Sequence, residues 1–364
     1  MTDQAAPPPM ALIAELTHRC PLSCGYCSNP LNLDASKMEL STAGWMRVLD
    51  QAAALGVLQV HFTGGEPMAR RDLVALVAHA NARGLYTNLI TSAVSLNDAA
   101  LAALVEAGID HIQISFQDVD APDADRLGGY RGGHARKLAA AQRVRDAGVS
   151  LTANFVVHRQ NVQRIEAMIA LGEAMDADRI EIAHVQYYGW ALLNRDALLP
   201  TKDQLDHCTA VVRAARVRLT GVLTIDYVVP DYYASRPKAC MGGWGRRVIN
   251  ISPSGKALPC HAAESLPGLT FPSVRDQSLA DIWSHADIFT RFRGTDWMPA
   301  PCRSCDQREI DWGGCRCQAL AITGDMAAVD PVCDLSPDHH LMQAAVREAG
   351  GGDATVTPRR FPRA

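Results

Sequence analysis

The sequence of 364 residues predicts an α/β fold built on a parallel sheet, followed by a smaller region rich in cysteine. Two observations lead to this fold class. Short apolar or alternating runs recur between residues 11 and 185, and helical patterns separate them. Repeated strand–helix units imply parallel strands with helices outside the sheet. Right-handed crossovers would curl such a sheet into a full or partial barrel, with its chemistry at the carboxyl ends of the strands.

Six strands are predicted, and five helical patterns lie between them. The strands are expected at residues 11–16, 59–63, 85–91, 111–116, 151–157 and 179–185. The helices are expected at residues 42–55, 72–83, 98–107, 136–147 and 162–175. Ser41 or Thr42 can cap the first helix and Asn97 the third. Helix ends are further marked by the glycines Gly84, Gly108 and Gly148.

Two later segments also have readable patterns. Residues 248–260 alternate in polarity around a Pro-Ser-Gly turn, which predicts a β-hairpin. Residues 204–217 read as a helix carrying Cys208, which we expect to be a buried thiol.

Composition limits the class of protein. Apolar residues make up 48% of the chain and charged residues 20%, as in ordinary soluble proteins, and the net charge is −4. Such a charge leaves no electrostatic footprint for nucleic acid. The N-terminus lacks the pattern of a signal peptide, and no apolar run is long enough to span a membrane. We therefore expect a cytoplasmic protein without nucleic-acid or membrane partners.

Three of the eleven cysteines, Cys20, Cys24 and Cys27, stand in the pattern C-x3-C-x2-C directly after the first strand. In a reducing compartment, cysteines in such numbers indicate metal binding or redox chemistry. Thiolates are soft ligands that suit zinc or iron–sulfur clusters. Three ligands are one too few for a closed site, so the loop predicts a metal centre with an open position.

The second strand leads into Gly64-Gly65-Glu66-Pro67. The two glycines would let the backbone approach a ligand closely, and Glu66 could accept a hydrogen bond from an ammonium group. The alternative is an ordinary turn in which the proline begins a helix.

Together these two motifs resemble those of the radical S-adenosylmethionine (SAM) superfamily. The resemblance implies a partial (β/α)6 barrel over residues 10–232, in which Cys20, Cys24 and Cys27 hold a [4Fe–4S] cluster. The amino and carboxylate groups of SAM would bind the fourth iron. A zinc or electron-carrier protein without enzymatic activity is the alternative, against which the open site and the glycine motif argue.

The same resemblance implies a set of residues that contact SAM. Tyr26 would lie near the adenine, and Gly64, Gly65, Glu66 and Pro67 near the amino group. Further contacts fall at Ser115, Gln117 and Asn154, for which ordinary sheet packing or a capped turn is the alternative. In one departure, Thr91-Ser92-Ala93 stands where the family often has Thr-Asn-Gly.

The later cysteines resemble the SPASM extension of these enzymes, a small domain expected over residues 233–338 that carries two auxiliary iron–sulfur clusters. The ligands implied for cluster I are Cys240, Cys260, Cys315 and Cys317. Those implied for cluster II are Cys302, Cys305, Asp311 and Cys333. Asp311 replaces the cysteine of the family pattern, and the alternative is a solvated loop residue beside a three-ligand cluster. Residues 1–9 and most of residues 339–364 are expected to be disordered tails.

Within the SPASM group, the chain resembles enzymes of pyrroloquinoline quinone (PQQ) synthesis in residues 14–30, 114–118, 158–161 and 181–191 and in Asp311. This implies a carbon–carbon bond between glutamate Cγ and the tyrosine ring of a precursor peptide, PqqA. A chaperone, PqqD, would present the peptide, since no appended winged-helix module is recognised, and an external one-electron reductant such as flavodoxin would be needed. The alternative is another SPASM maturase, of the thioether-forming or sulfatase-maturing type. No catalytic residue is assigned.

Overall fold

The computed structural model describes residues 7–239, 242–349 and 355–361. Its centre is one nine-stranded sheet. The strands are β1 (Ala11–Thr17), β2 (Gln59–Gly64), β3 (Tyr86–Thr91), β4 (His111–Phe116), β5 (Ser150–Val157), β6 (Arg179–His184), β7 (Thr224–Val228), β8 (Val248–Ile251) and β9 (Ala257–Leu258). All six predicted strands are present, and each lies within two residues of its expected bounds.

The strand order is β7-β6-β5-β4-β3-β2-β1-β8-β9, and every neighbouring pair except β8–β9 is parallel. Within the described ranges β7 and β9 are the two edges, so the sheet is an open, partial barrel. β7 was not predicted. It is a seventh parallel strand in addition to the six that were predicted. It pairs with the edge of β6 because the helix before it returns the chain to that edge.

Helices connect the strands and cover the sheet. They are α1 (Thr42–Ala54), α2 (Leu73–Ala82), α3 (Asp98–Glu106), α4 (Ala121–Gly128), α5 (Gly133–Asp146), α6 (Ile165–Ala174), α7 (Gly189–Leu193), α8 (Arg195–Leu198), α9 (Lys202–Arg218), α10 (Leu279–His285), α11 (Asp287–Thr290), α12 (Arg308–Asp311), α13 (Arg316–Thr323) and α14 (His339–Ala349). The five helices predicted between strands are all found, and α9 contains the helix predicted at residues 204–217; α4, α7, α8 and α10 to α14 were not predicted. None of the described helices is long and apolar enough to cross a membrane.

The capping residues expected from the sequence are found at the ends of the helices. The Ser41 side chain accepts from Gly44 N at 3.1 Å, and Asn97 Oδ1 accepts from Ala100 N at 2.9 Å. Gly84, Gly108 and Gly148 have φ angles of +75°, +83° and +71°, the left-handed conformation that ends a helix. Apolar side chains of the helices and strands form one core that includes Cys208, which is buried as predicted.

The predicted hairpin is β8–β9, and it also extends the barrel sheet. β8 runs parallel to β1, with Ala11 opposite Val248 and Ala14 opposite Ile251. The cysteine-rich region is therefore joined to the barrel by backbone hydrogen bonds. The sequence indicated the hairpin but not this partner, because strand pairing at such separation leaves no local pattern.

The predicted disorder of the tails is wrong for the described residues 339–349 and 355–361. α14 is amphipathic and buries Met342, Ala345 and Ala349 against Tyr232 and its neighbours. Residues 355–361 pack near the first cysteine loop. At the other end, the Trp283 Nε1–H donates to Pro7 O at 3.0 Å. Apolar burial and hydrogen bonds to distant segments order these residues despite their polar composition.

Candidate active site and cysteine clusters

A cleft of about 330 Å³ opens at the carboxyl end of the sheet. The loop after β1 brings Cys20, Cys24 and Cys27 to it, and the turn after β2 brings Gly64 and Gly65. Other lining residues come from strand ends and from distant segments: Tyr26, Thr91, Ser92, Ser115, Gln117, Gln186, His261 and Arg359. The structure thus joins the two motifs that the sequence singled out.

The glycine turn lies directly on the backbone of the cysteine loop. Gly65 N donates to Thr17 O at 2.6 Å, and Glu66 N donates to Arg19 O at 2.8 Å. A Cβ on Gly65 would lie 2.5 Å from Arg19 O and 2.6 Å from His18 O. At Gly64, φ is +130° and a Cβ would lie 2.4 Å from Thr17 O. Both positions therefore require glycine.

Glu66 is buried and does not line the cleft. Its carboxylate accepts from Thr91 Oγ1 at 2.6 Å, Ser92 N at 2.8 Å, Ser92 Oγ at 2.5 Å and Met68 N at 3.1 Å. Thr91 and Ser92, the latter a departure from the family pattern, are thus partners of Glu66. Pro67 is buried and begins the 3₁₀ turn Pro67–Ala69, as the alternative interpretation expected. Contacts of Glu66 and Pro67 with SAM remain predictions.

Ser115 and Gln117 line the cleft, whereas Asn154 does not. Asn154 Nδ2 donates to Glu181 Oε2 at 2.7 Å in the interior of the sheet, which matches the sheet-packing alternative. The end of β4 is held by Lys137 of α5, a residue that the sequence did not single out. Its buried Nζ donates to Ser115 O at 2.7 Å and also to Gln117 Oε1. Burial lowers the pKa of Lys137 to about 8.

The three thiols of the cysteine loop are free of disulfides, and each has a raised pKa. Burial raises the pKa of Cys20 to about 12 and that of Cys27 to about 11, and it also raises the pKa of Cys24. The described cysteines form no disulfide. Buried thiols ionise when a cationic centre compensates for the lost hydration, so three soft donors in one loop fit a metal cluster. Beside them, the backbone of Gly64 and Gly65 lines the same cleft, where a cofactor that chelates the cluster could meet it.

Tyr26 is half-buried at the cleft wall, with its ring centroid 5.4 Å from that of His158. The aromatic segment after β6 mostly packs away from the cleft. Tyr187 and Trp190 are buried, and Tyr187 contacts the Tyr232 ring at a centroid distance of 5.0 Å. Of that segment, Gln186 reaches the cleft. The large rings of Tyr187 and Trp190 are therefore part of the packed interior and do not line the cleft.

The predicted ligands of cluster I lie together as far as the structure describes them. Hydrogen bonds of the Cys317 thiol to Cys260 and Cys315, together with burial, raise the pKa of Cys317 well above its usual range. Tyr188 Oη lies 3.2 Å from Cys315 Sγ. Cys240, the fourth predicted ligand, lies outside the described residues. The three described thiols form one compact donor set, which fits a second cluster.

The four predicted ligands of cluster II, Cys302, Cys305, Asp311 and Cys333, line one small cavity. Burial, followed by the nearby Asp311 carboxylate, raises the pKa of Cys302 to about 11. Asp311 is half-buried, and its Oδ1 accepts from Gly313 N at 2.9 Å. Asp311 is therefore not fully solvated, and its role as a ligand of cluster II stays a prediction.

Asp330 links the two cysteine sets and was missed in the sequence. It is buried, its Oδ2 accepts from Cys315 N at 2.7 Å, and its Oδ1 accepts from Gln318 Nε2 and Val332 N, each at 3.0 Å. It also lines the cavity of Cys302 and Cys333. No sequence pattern marked it, since its role depends on contacts across the folded loop.

Arg359 is a further residue that the sequence analysis missed. It is buried, lines the cleft and donates its backbone N–H to Ser23 O at 3.1 Å. Its charge partly offsets the burial that raises the pKa of Cys20, Cys24 and Cys27. The sequence placed it in a tail expected to be disordered.

Comparisons with known proteins agree with this geometry. Residues 14–172 match the model of the Radical SAM superfamily, and residues 240–306 match that of an iron–sulfur cluster-binding domain, SPASM. The chain is 64% identical to the PqqA peptide cyclase of Granulibacter bethesdensis, covering 94% of this chain and 92% of the relative. It is 58% identical to that of Gluconobacter oxydans, covering 97% and 98%.

Among solved structures, SuiB of Streptococcus suis bound to S-adenosylmethionine has a similar fold, with a TM-score of 0.73 at 21% identity. The match covers 90% of this chain and 78% of SuiB.

Proposed function

The chain belongs to the PqqA peptide cyclases of the radical SAM superfamily, and we propose that it joins glutamate Cγ to the tyrosine ring within the precursor peptide PqqA. The observation that carries this proposal is the meeting of Cys20, Cys24, Cys27 and the Gly64-Gly65 turn in one cleft at the carboxyl end of the sheet. The other SPASM maturases considered from sequence are not favoured, given 64% identity to a named cyclase.

We propose that Cys20, Cys24 and Cys27 hold the [4Fe–4S] cluster at which SAM binds. When bound, the cluster and SAM would supply a radical that removes one hydrogen atom, and the auxiliary clusters would supply redox centres for the electron that must still leave before the oxidised product is formed. The open backbone of Gly64 and Gly65 would receive the SAM amino group. Tyr26 would border the adenine.

The protein's own groups then position the reactants and restrict access by water. Ser115 and Gln117 would orient the ribose end of SAM, and both are anchored by Lys137 Nζ. Glu66 would keep the glycine turn in place through Thr91 and Ser92. The polar cleft residues Gln186, from the segment after β6, and His261, next to Cys260, would face the peptide.

The product should contain two hydrogen atoms fewer than PqqA, since glutamate Cγ and the tyrosine ring each lose one when the bond forms. We propose Cys240, Cys260, Cys315 and Cys317 as ligands of auxiliary cluster I. For cluster II we propose Cys302, Cys305, Cys333 and Asp311, on the grounds that all four line one cavity.

Two further partners are proposed on family membership. PqqD would present PqqA to the cleft, and a one-electron carrier such as flavodoxin would supply the reducing electron. A binding titration of PqqD, with and without PqqA, tests the first. Replacing a chemical reductant by reduced flavodoxin in the assay tests the second.

The deciding experiment is anaerobic incubation of the reconstituted protein with SAM, reductant, PqqA and PqqD, followed by mass spectrometry. We expect loss of two hydrogen atoms from PqqA and formation of 5′-deoxyadenosine. Cys208→Ala is a matched control for Cys24→Ala, because Cys208 is buried outside all three cysteine sets. Formation of 5′-deoxyadenosine with unaltered PqqA, and turnover on a cysteine-bearing peptide instead, would contradict the proposal.

A further inference from the structure

We propose that Arg359 binds the carboxylate of SAM, and that residues 355–361 form a C-terminal strap that carries this side chain into the cleft. The inference rests on the proposed function in so far as SAM is the cofactor. Arg359 would then be a cofactor-binding residue that lies some 330 positions after the cysteine loop in the sequence.

The strap is fixed to the cysteine loop by backbone-directed hydrogen bonds. Thr357 N donates to Asn194 Oδ1 at 2.8 Å, and Asn194 Nδ2 donates to Thr357 O and to Gly25 O, each at 2.8 Å. Arg359 N donates to Ser23 O at 3.1 Å. The strap is therefore bonded on both sides of Cys24, and the buried Asn194 connects it to the loop.

The cysteine loop is also shaped to receive the strap. A Cβ on Gly25, between Cys24 and Tyr26, would lie 2.2 Å from Val356 Cγ1 and 3.2 Å from Thr357 O. Gly25 does not have a positive φ, so its backbone conformation does not require glycine. The close approach of the strap is the structural reason for a glycine there.

The guanidinium of Arg359 has a donor without a partner. The side chain is 4% exposed, and one terminal nitrogen, Nη2, donates to His18 O. The Nε–H is buried and finds no acceptor among the described residues. A buried donor left without an acceptor is costly, so an acceptor should be supplied when the cleft is filled.

The position of the guanidinium identifies that acceptor. Arg359 bonds to His18 O, and a Cβ on Gly65 would lie 2.6 Å from the same oxygen. The guanidinium and the glycine turn therefore border one carbonyl. If the turn receives the SAM amino group, the carboxylate on the same carbon atom comes within reach of Arg359.

Charge leads to the same assignment. Among the described residues that line the cleft, Arg359 is the only arginine or lysine. Lys137 does not line the cleft, and its Nζ donates to Ser115 O and Gln117 Oε1. A carboxylate brought into a buried site needs a charged partner, and the planar fork of arginine matches its two oxygens.

The test compares Arg359→Gln with Arg360→Gln in the full-length, anaerobically reconstituted protein. Arg360 is exposed, so its variant makes the same change of charge one position along the strap. SAM dissociation constants are measured by equilibrium dialysis, together with the change that SAM causes in the electron paramagnetic resonance spectrum of the reduced cluster. We expect at least tenfold weaker SAM binding in Arg359→Gln and no change in Arg360→Gln.

Decarboxylated SAM distinguishes a direct contact from a structural effect. Both proteins should prefer SAM, because the carboxylate is also expected to bind the fourth iron, but the preference should be at least tenfold smaller in Arg359→Gln than in the wild type. Equal discrimination in both proteins would overturn the proposal, and so would unchanged SAM affinity in Arg359→Gln. If Arg359→Gln fails to retain iron, Arg359→Lys decides. With its charge kept it should prefer SAM as strongly as the wild type does, and a preference at least tenfold smaller would overturn the proposal.

The SAM-binding test of Arg359 and the PqqA cross-linking test of the proposed function can fail independently. If the wild type binds SAM with the expected dependence on Arg359 but leaves PqqA unaltered, the cyclase assignment fails and the SAM contact stands. If PqqA is cross-linked while Arg359→Gln binds SAM normally, the cyclase assignment stands and the SAM contact of Arg359 fails.

Discussion

Gly65→Ala gives the sharpest test of how the glycine turn and the cysteine loop depend on each other. The added Cβ would lie 2.5 Å from Arg19 O and 2.6 Å from His18 O, whereas ordinary contacts begin at 3.4 Å. Both obstacles are backbone carbonyls, which cannot rotate away as a side chain could. The turn and the loop must therefore separate by about 0.9 Å, the difference between 3.4 and 2.5 Å.

That separation determines the expected energy. The hydrogen bonds from Gly65 N to Thr17 O and from Glu66 N to Arg19 O measure 2.6 and 2.8 Å. Lengthening each by about 0.9 Å brings them to the limit of hydrogen bonding or beyond it. At about 1 kcal/mol for each lost bond, we expect the free energy of unfolding to fall by about 2 kcal/mol. SAM affinity should fall at least tenfold, because the receiving backbone is displaced.

The assays are urea unfolding of the metal-free protein under reducing conditions and SAM binding to the reconstituted protein. Gly148→Ala is the control: its φ is +71°, no atom lies within 4 Å of the new Cβ, and it is remote from the cleft. The strained backbone should cost about 1–2 kcal/mol while SAM affinity stays unchanged. Wild-type SAM binding in Gly65→Ala, with stability within about 0.5 kcal/mol of the wild type, would refute the reasoning.

Three further outcomes are expected. Asp311→Cys should change the paramagnetic resonance signal and lower the potential of cluster II, since thiolate replaces a harder ligand; an unchanged signal and potential would remove Asp311 from the coordination shell. Tyr188→Phe should lower the potential of cluster I by up to about 60 mV in a redox titration, because a ligating Cys315 thiolate can only accept from the hydroxyl at 3.2 Å; no shift would show that this bond is absent in the loaded protein. Gly25→Ala should weaken SAM binding by displacing the strap, and Val356→Ala should restore it by removing the Cγ1 atom that lies 2.2 Å from the new Cβ; failure of this rescue would contradict the packing argument.

Local patterns predicted the parts of the site that are local in sequence. Three thiols in one loop and two glycines in one turn fall on the edge where strands β1 and β2 end, so parallel topology alone brings Cys20, Cys24, Cys27, Gly64 and Gly65 together. The strands and most helix ends followed from polarity and capping residues in the same way.

Contacts between segments that are far apart in the sequence could not be predicted from local patterns. Arg359 lies in a polar tail whose composition is that of a disordered segment, and only the folded position of Asn194 gives that tail its partners. Asn154 occupies the expected position on its strand but bonds to Glu181 in the sheet interior, because a strand position does not determine which neighbour a side chain meets. Glu66 likewise turned out to have Thr91 and Ser92 as partners.

The parallel pairing of β8 with β1 bears on electron tunnelling. Cys20 follows β1 by three residues and Cys260 follows β9 by two, and the three strands are hydrogen-bonded side by side. The sites proposed for the SAM cluster and cluster I are thus set by one continuous sheet and not by a hinge between domains. The distance an electron must cross between them is then a constant of the fold. Binding of peptide or chaperone would have to change electron transfer through driving force or solvation, with the spacing left unaltered.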